Sequence, residues 1–452
     1  MLWYLGERSG TILRPRTRAP RVDALHAVRA VAIGPFHRRD AGLRFGDAAK
    51  LPFLRYLQDQ CGLDAERYVA ALAADRRRLR DEFAAGDGDG EDETLMLLLD
   101  DEDKFLEMLL LDSCFLLVVS MMLSKAGAGE EDSVARAACI SREYFILHMA
   151  VAQHADDIKL DMLVLENQVP FAALKMLAAA VKLRRPVEDL VLGCFDDICP
   201  HRAACGHAGE FAGDDIFAFH HVLHLFHWSR VPRDKYCILS TPLKLLRIKK
   251  ESERLFPSYT ELRRSAVWFR PPATTSSPSS SSGFDMRFWR HPASAVAVMT
   301  VPCLHVHEYT AALLHNMLAF EKHFSWASHG AAVTAHVARM EGLVRCPQDA
   351  AMLRRRGVLA ATRRSDAELV DLFRELGAET VGARLPDEYA QMLDDVARHR
   401  CRRLSGWCGG FVLHFFPSPW VAVSLVAAAA LIFVPSMLQT VYTVLSYFKS
   451  SS

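Results

Sequence analysis

Neither sign of charge prevails in this 452-residue chain: Lys and Arg number 54, and so do Asp and Glu. No global field draws in nucleic acid or anionic lipid, so any charged partner must be met locally. A disulfide framework is missing as well. The eleven cysteines are an odd number scattered through apolar segments such as Asp112-Ser113-Cys114-Phe115, the pattern of reduced and mostly buried thiols. The N-terminus has no secretory signal, because only Met1 to Leu5 is apolar before Glu7, Arg8, Arg14, Arg16, Arg18 and Arg21. A Gly-x-Ser-x-Gly elbow, a papain-like cysteine signature, a Walker loop, a dinucleotide fingerprint and internal repeats are all lacking. No cofactor and no small-molecule substrate are therefore inferred.

Apolar residues make up 51% of the chain and charged ones 24%, the balance of a protein that folds in water. Its length allows one large domain or two to three smaller ones. Helical spacing dominates. An amphipathic stretch runs over 63–83, a more buried one begins at Phe105, and further helices are predicted over 134–154, 156–165, 214–228, 308–328, 331–344, 348–356, 366–376 and 387–407. The helix through Asp156 should break near Asn167, because Pro170 disfavours helical geometry before it. Residues 106–123 are strongly apolar, but Glu107 and Asp112 would each cost about 2.5–3.5 kcal/mol at mid-bilayer, so a core helix is expected. Extended segments at 266–269, 286–289 and 295–299 predict a small sheet, and the low-complexity 271–283 a disordered insert between two of its strands. Residues 86–93, GDGDGEDE, read as a solvated acidic loop without the frame of a calcium site.

One long run lacks charge altogether. Residues 415–448 carry no acid or base, and about twenty apolar residues suffice to cross a bilayer. Trp420 and Tyr442 lie where interfacial aromatic belts belong, and Pro435 and Gln439 are tolerated inside a membrane helix. Nothing after Ser452 would bury such a helix in a soluble shell. Arg398, Arg400, Arg402 and Arg403 precede the run and Lys449 alone follows it, so the positive-inside bias puts the bulk of the chain in the cytosol and a short tail, 449–452, across the membrane. The expected topology is single-pass and tail-anchored, with plasma membrane and endomembrane not distinguished.

Four motifs come in order: Ile33-Gly34-Pro35-Phe36-His37; Leu111-Asp112-Ser113-Cys114-Phe115-Leu116; Leu163-Val164-Leu165-Glu166-Asn167-Gln168-Val169-Pro170-Phe171; and Leu313-Leu314-His315-Asn316-Met317-Leu318-Ala319-Phe320-Glu321. Their order and spacing resemble the plant DUF247 family, also called UPF0481. The resemblance extends to Met340-Glu341-Gly342-Leu343-Val344 with the Asp349 segment and to the closing Pro419-Trp420 span, nearly the whole chain from about residue 30. It implies a land-plant protein with a mainly helical cytosolic or membrane-facing body, a C-terminal anchor and, for most members, no assigned biochemical activity. The Arg-rich opening and Val298-Met299-Thr300-Val301-Pro302 depart from the family pattern.

Polar residues inside apolar runs need partners from other segments, so 33–37, 112–115, 166–171 and 316–321 are expected to meet in one core. Gly34, Pro35, His37, Asp112, Phe115, Glu166, Asn167, Gln168, Pro170, Asn316, Phe320 and Glu321 are its structural candidates, with Glu166, Asn167 and Gln168 closing a helix end. Asp157 and Asp161 read as a hydrated pair. As an alternative, Asp112, Cys114 and Glu166 could serve a hydrolase-like enzyme of undescribed class, although no base can be assigned among the 19 histidines. Another alternative is a zinc-stabilised module on Cys194, Cys199, His201, Cys205 and His207, followed by His220, His221, His224 and His227, whose spacing fits no compact zinc module. Arg76, Arg77, Arg78 and Arg80 lack interleaved aromatics for nucleic acid and read as a solvated face.

The expected fold is mainly α: a basic, flexible arm over 1–29, one large helical domain with a small β-sheet over 30–414, and one transmembrane helix over 415–448. The expected role is that of a non-enzymatic, membrane-anchored interaction or recognition protein, with the bilayer and an unidentified protein as partners.

Overall fold

The computed structural model describes Ile12 and residues 27–40, 42–83, 98, 100–124, 142–198, 219–231, 245–247, 256–271, 284–291, 294–324, 331–360, 363–402, 405–406 and 419–450. The acidic loop 86–93, all but the first residue of the insert 271–283, and Cys199, His201, Cys205 and His207 lie outside them.

After an irregular entry segment, 27–40, come α1 (Asp47–Cys61), α2 (Ala65–Ala74) and α3 (Arg76–Asp81). The amphipathic stretch over 63–83 is two helices, because Asp75 leaves helical geometry (φ −103°, ψ 11°) between them. α4 (Glu102–Leu123) is the central helix. Asp101 caps it by accepting the Lys104 N–H, and Glu102 and Asp103 sit at its positive end. By length and composition it could cross a membrane. It is instead buried from Phe105 to Ser120, except for the exposed Glu107 and the partly open Leu110, under α1 and α2 and the later helices α7 (Phe171–Ala180) and α8 (Val187–Gly193). A helix apolar all round needs such a shell, and this is the core helix expected.

Between α4 and α7 run α5 (Arg142–Gln153) and α6 (Ala155–Asp161). α6 ends sooner than expected. The N–H groups of Leu163, Val164 and Asn167 bond three residues back, so the chain winds through tight turns instead of helix up to Pro170. α9 (Val222–Arg230) then links this half to the second.

The second half contains β1 (Leu245–Arg247), α10 (Tyr259–Arg264), β2 (Val267–Arg270), β3 (Arg287–Arg290), β4 (Ala297–Thr300), β5 (Leu304–His305), α11 (Thr310–Phe324), α12 (Ala332–Leu343), α13 (Pro347–Arg355), β6 (Leu359–Ala360), α14 (Asp366–Glu379), β7 (Arg384–Pro386) and α15 (Asp387–Arg400). Capping boxes at Ser258/Glu261 and Ser365/Glu368 start α10 and α14. The expected small sheet is present in the order β2-β4-β3, with β4 parallel to β2 and antiparallel to β3. The insert joins its two outer strands. Two-stranded pairs β1-β7 and β5-β6 lie apart from it. α15 stops at Arg400, short of the expected 407.

One large apolar cluster extends from Ile12 to Val396 and unites both halves, with a small second one of Ala335, Ala338, Leu385 and Tyr389. The arm over 1–29 is fixed where it is described: Ile12 is fully buried, its N–H on the Glu82 carbonyl at 2.8 Å, and Arg29 is tied to Asp161. Last comes α16 (Pro419–Ser450), 32 residues with Pro435 inside. Its described side chains stand free of the core: Leu431 is 74% exposed, Phe433 70% and Tyr442 71%. Gln439 is exposed too, and the Trp420 side chain lies outside the described residues.

Candidate functional site

Segment 27–40 belongs to no helix, and only Val31 pairs as a lone bridge with Phe45, so its backbone N–H groups need acceptors from elsewhere. Three side chains supply them. Asp161 accepts from Arg29 (3.0 Å), Ala30 (2.7 Å) and Val31 (2.9 Å). Asn167 Oδ1 accepts from Ile33 (2.6 Å) while its Nδ2 donates to the Val31 and Asp161 carbonyls (both 3.0 Å). Asp112 Oδ2 accepts from Gly34 (2.8 Å). Gly34 has φ +75°, and a Cβ there would come within 2.2 Å of the Gln168 carbonyl oxygen, so glycine is required twice over.

Charged side chains complete the junction. The Lys50 ammonium donates to Asp112 Oδ1 and to the Ala32 carbonyl, and Arg38 reaches Asp112 (2.9 Å) and Asp47. Lys50 and Asp112 are both fully buried. His37 lies 2.7 Å from Asp40 and 3.3 Å from the buried Glu166. Burial alone would lower the His37 pKa, but the hydrogen bonds and negative charge of Glu166 and Asp40 outweigh it and hold the pKa above its usual value. At Asp161 burial wins: the carboxyl is pushed up to about 6 against the pull of its three N–H donors. Asp161 is therefore not the hydrated partner of Asp157 expected from their spacing; it is 1% exposed and Asp157 turns to Arg29.

The remaining motif residues carry the junction into the second half. Gln168 donates to the Met162 and Val164 carbonyls and accepts from Leu223 at the start of α9. Asn316 of α11 accepts the Leu165 N–H (3.0 Å). One helical turn on, Glu321 receives the Val333 and Thr334 N–H groups and the Thr334 hydroxyl, so it caps α12, and His227 Nε2 meets it at 2.9 Å. Phe115 packs on Phe45 and Phe53, and Phe320 on His221, His224 and His227. Pro35 is buried, and Pro170 precedes α7 as its first cap. The structure thus brings 33–37, Asp112 and 165–170 together directly and attaches Asn316 through Leu165.

Chemically the junction is saturated. Asp112 accepts from a backbone amide, a guanidinium and an ammonium, and Glu166 faces His37. Cys114 is fully buried, and burial pushes its thiol far above the range in which a nucleophilic thiolate forms. Asp112, Cys114 and Glu166 are thus packing and ion-pairing groups, not an exposed nucleophile with its base. Cys194 turns into the core toward the Ser120 and Leu190 carbonyls, its thiol pushed up to about 12. Among the described residues no cluster of His, Cys, Asp or Glu could hold a metal ion.

Lys50, Arg38 and Asp47 went unnoticed in the sequence. Their only signal there was adjacency: Arg38 follows His37, and Asp47 and Lys50 are one helical turn apart. Asp349 likewise proves to be a cap, accepting the Thr260 N–H (2.9 Å) and hydroxyl (2.6 Å) at the head of α10.

A family model, described as a plant protein of unknown function, matches residues 16–434, which takes in every motif of the junction. This chain belongs to the DUF247 family. No curated protein and no solved structure matches it. The function of this DUF247 chain must therefore be read from its own residues, and the junction reads as the fastening that holds an irregular N-terminal segment and both halves of the body in one register.

Proposed function

We propose that this protein is a non-enzymatic interaction module tethered to a membrane, with α16 as its anchor and the helical body as the partner-binding part. The observation that carries the reading is α16 itself. Over 430–443 it presents Leu431, Ile432, Phe433, Val434, Met437, Leu438, Val441 and Tyr442 outward, between 48% and 74% exposed. A water-facing helix apolar on every side is unfavourable by roughly 25 cal/mol for each Å² of apolar surface, a cost that hydrocarbon removes. Its 32 residues span about 48 Å at 1.5 Å each, more than the ~30 Å of a bilayer core. The polar groups within it are of a kind suited to lipid: Thr440 and Thr443 fold their hydroxyls back onto the Ser436 and Gln439 carbonyls (2.8 and 2.7 Å).

Arg398, Arg400 and Arg402 before the helix, against Lys449 near its end, favour a cytosolic body. The saturated state of Asp112, Cys114 and Glu166 supports binding rather than turnover. Carbonate extraction and protease protection of the full-length protein test the tether. Retention in the membrane pellet with the body open to protease is expected; release into the carbonate supernatant, with no change on removing 419–450, would overturn it.

A further inference from the structure

The small sheet has two unlike faces. Strand register sets Phe269, Met299 and Phe288 side by side on the inner face and Trp268, Val298 and Trp289 side by side on the outer one. Trp289 is 61% exposed and Trp268 36%, the only tryptophans so open among the described residues. Around them lies positive charge. The Arg263 guanidinium sits 4.2 Å from the centre of the Trp268 ring and that of Arg356 5.9 Å. Arg270 occupies the next outward position of β2, level with Thr300 and Arg287. Among the described residues no carboxylate pairs with Arg263, Arg270 or Arg356, whereas Arg287 has Asp285 at 2.7 Å. Two guanidiniums flanking one indole repel each other, and among the described residues no carboxylate forms an ion pair with either. An anionic partner with an apolar layer would offset that repulsion.

The position of this face names the partner. α15 packs against β3, and near its end His399 hydrogen-bonds the Ser265 carbonyl at 2.7 Å, two residues before β2, and meets the Phe288 ring at 5.9 Å. The end of α15 therefore lies beside this sheet, and α16 is the next described helix of the sequence beyond residue 406. Sixteen residues, 403–418, lie between Arg402 and Pro419, a reach of at most ~60 Å. The face itself measures roughly 13 by 10 Å from strand geometry. That is far below the ~800 Å² per partner of a free-standing protein interface. A weak contact becomes effective when a tether holds both sides together. Indoles and arginines are also the side chains that settle at the headgroup level of a bilayer.

We propose that the outer face of the sheet, Trp268, Val298 and Trp289 with the exposed Arg270 and Arg356, rests on the anionic-lipid surface of the bilayer, the buried Arg263 backing the Trp268 ring from beneath. This face is a second, peripheral membrane contact beside α16, and as a tethered contact it rests on the anchor reading above. The test uses the full-length protein with vesicles of neutral phosphatidylcholine or of phosphatidylcholine plus phosphatidylserine, each with brominated acyl chains that quench nearby tryptophan. Flotation reports the anchor; quenching reports the face. Flotation on both vesicles is expected, with extra quenching on the anionic ones that the W268F/W289F variant loses and that R270E/R356E at least halves, neither variant changing flotation or helical circular dichroism. Equal quenching of wild type and W268F/W289F on anionic vesicles would overturn the proposal while leaving the anchor standing. Flotation on anionic vesicles alone, with the same quenching pattern, would remove the anchor and keep the face. Flotation on neither would remove both. Polyglutamate shifting the emission of Trp268 and Trp289 where anionic vesicles do not would assign the face to an acidic protein and overturn the lipid reading.

Discussion

Replacing Asp112 by alanine should be among the most damaging single changes the body can suffer. Lys50 is fully buried, and its ammonium has Asp112 and the Ala32 carbonyl as partners, with the half-exposed Asp47 3.7 Å away. Removing the carboxylate strands a buried positive charge and also leaves the Gly34 N–H without its acceptor. Breaking a buried ion pair from one side costs about 3–5 kcal/mol. At about 2 °C per kcal/mol for a large domain, the thermal midpoint should fall by about 6–10 °C, read by near-ultraviolet circular dichroism of the full-length protein in detergent. The reverse change, Lys50→Met, should cost only about 1–2 kcal/mol, because Asp112 keeps Gly34 and Arg38 and the methionine fills the apolar space of the lysine stem. The double variant should be less destabilised than the two single costs combined. A midpoint for Asp112→Ala within about 1 °C of wild type, or a larger loss from Lys50→Met than from Asp112→Ala, would refute the account of the junction.

Gly34→Ala should lose about 2–4 kcal/mol and expose the N-terminal segment to protease, since the added carbon meets the Gln168 carbonyl at 2.2 Å in a left-handed conformation; an unchanged digestion pattern would contradict this. Asp161 gives a pH signature. Its carboxyl rises from 3.8 to about 6 on folding, so the native chain holds a proton that the unfolded chain has lost. Its contribution is complete below about pH 4 and falls by roughly 3 kcal/mol as pH rises to about 6; the midpoint difference between wild type and Asp161→Asn should change across that window and stay flat above it. His37 acts in the same direction at higher pH: its raised pKa adds stability below about 6.5 that is lost as pH climbs through the folded value, a slope that His37→Gln should remove. Iodoacetamide should label the exposed Cys401 in the native protein and spare Cys114 and Cys194 until unfolding, a difference readable by mass spectrometry.

Much of the fold was legible because it rests on local signals. The 3.6-residue period placed most of the helices but not α1, α7, α8 or α10, of which α8 and α10 are only seven and six residues long and α1 carries Pro52; alternation placed β2, β3 and β4, and the cost of Glu107 and Asp112 in lipid marked α4 as a core helix. The misreadings were non-local. Asp75 and the turns after Asp161 break helices whose apolar spacing continues across the break, because hydrogen bonds from Asn167 and Gln168 stabilise the turns and no period records them. Asp161 looked like a hydrated surface acid from its spacing to Asp157, and only the arrival of residues 29–31 from 130 or more positions away buries it. Lys50 and Arg38 were missed for the same reason. An isolated lysine on an amphipathic helix reads as solvated unless the segment that covers it is known.

The motifs that carry the family likeness are those that do backbone work. A strand satisfies its amides through a neighbour and a helix through itself; segment 27–40 does neither, yet it is largely buried. Asp161, Asn167 and Asp112 take the place of the missing ladder, each receiving amides of the segment in order: 29–31, then 33, then 34. Side-chain acceptors of this kind define register more narrowly than apolar contacts do, since a shift of one residue leaves both a buried carboxylate and a buried amide unpaired. That explains polar residues in a core where apolar ones would pack more cheaply. The same cluster is rich in Asp, Glu and His, and the lone pairs of Asp112 and Asp161 that accept the amides of the segment are engaged in holding it.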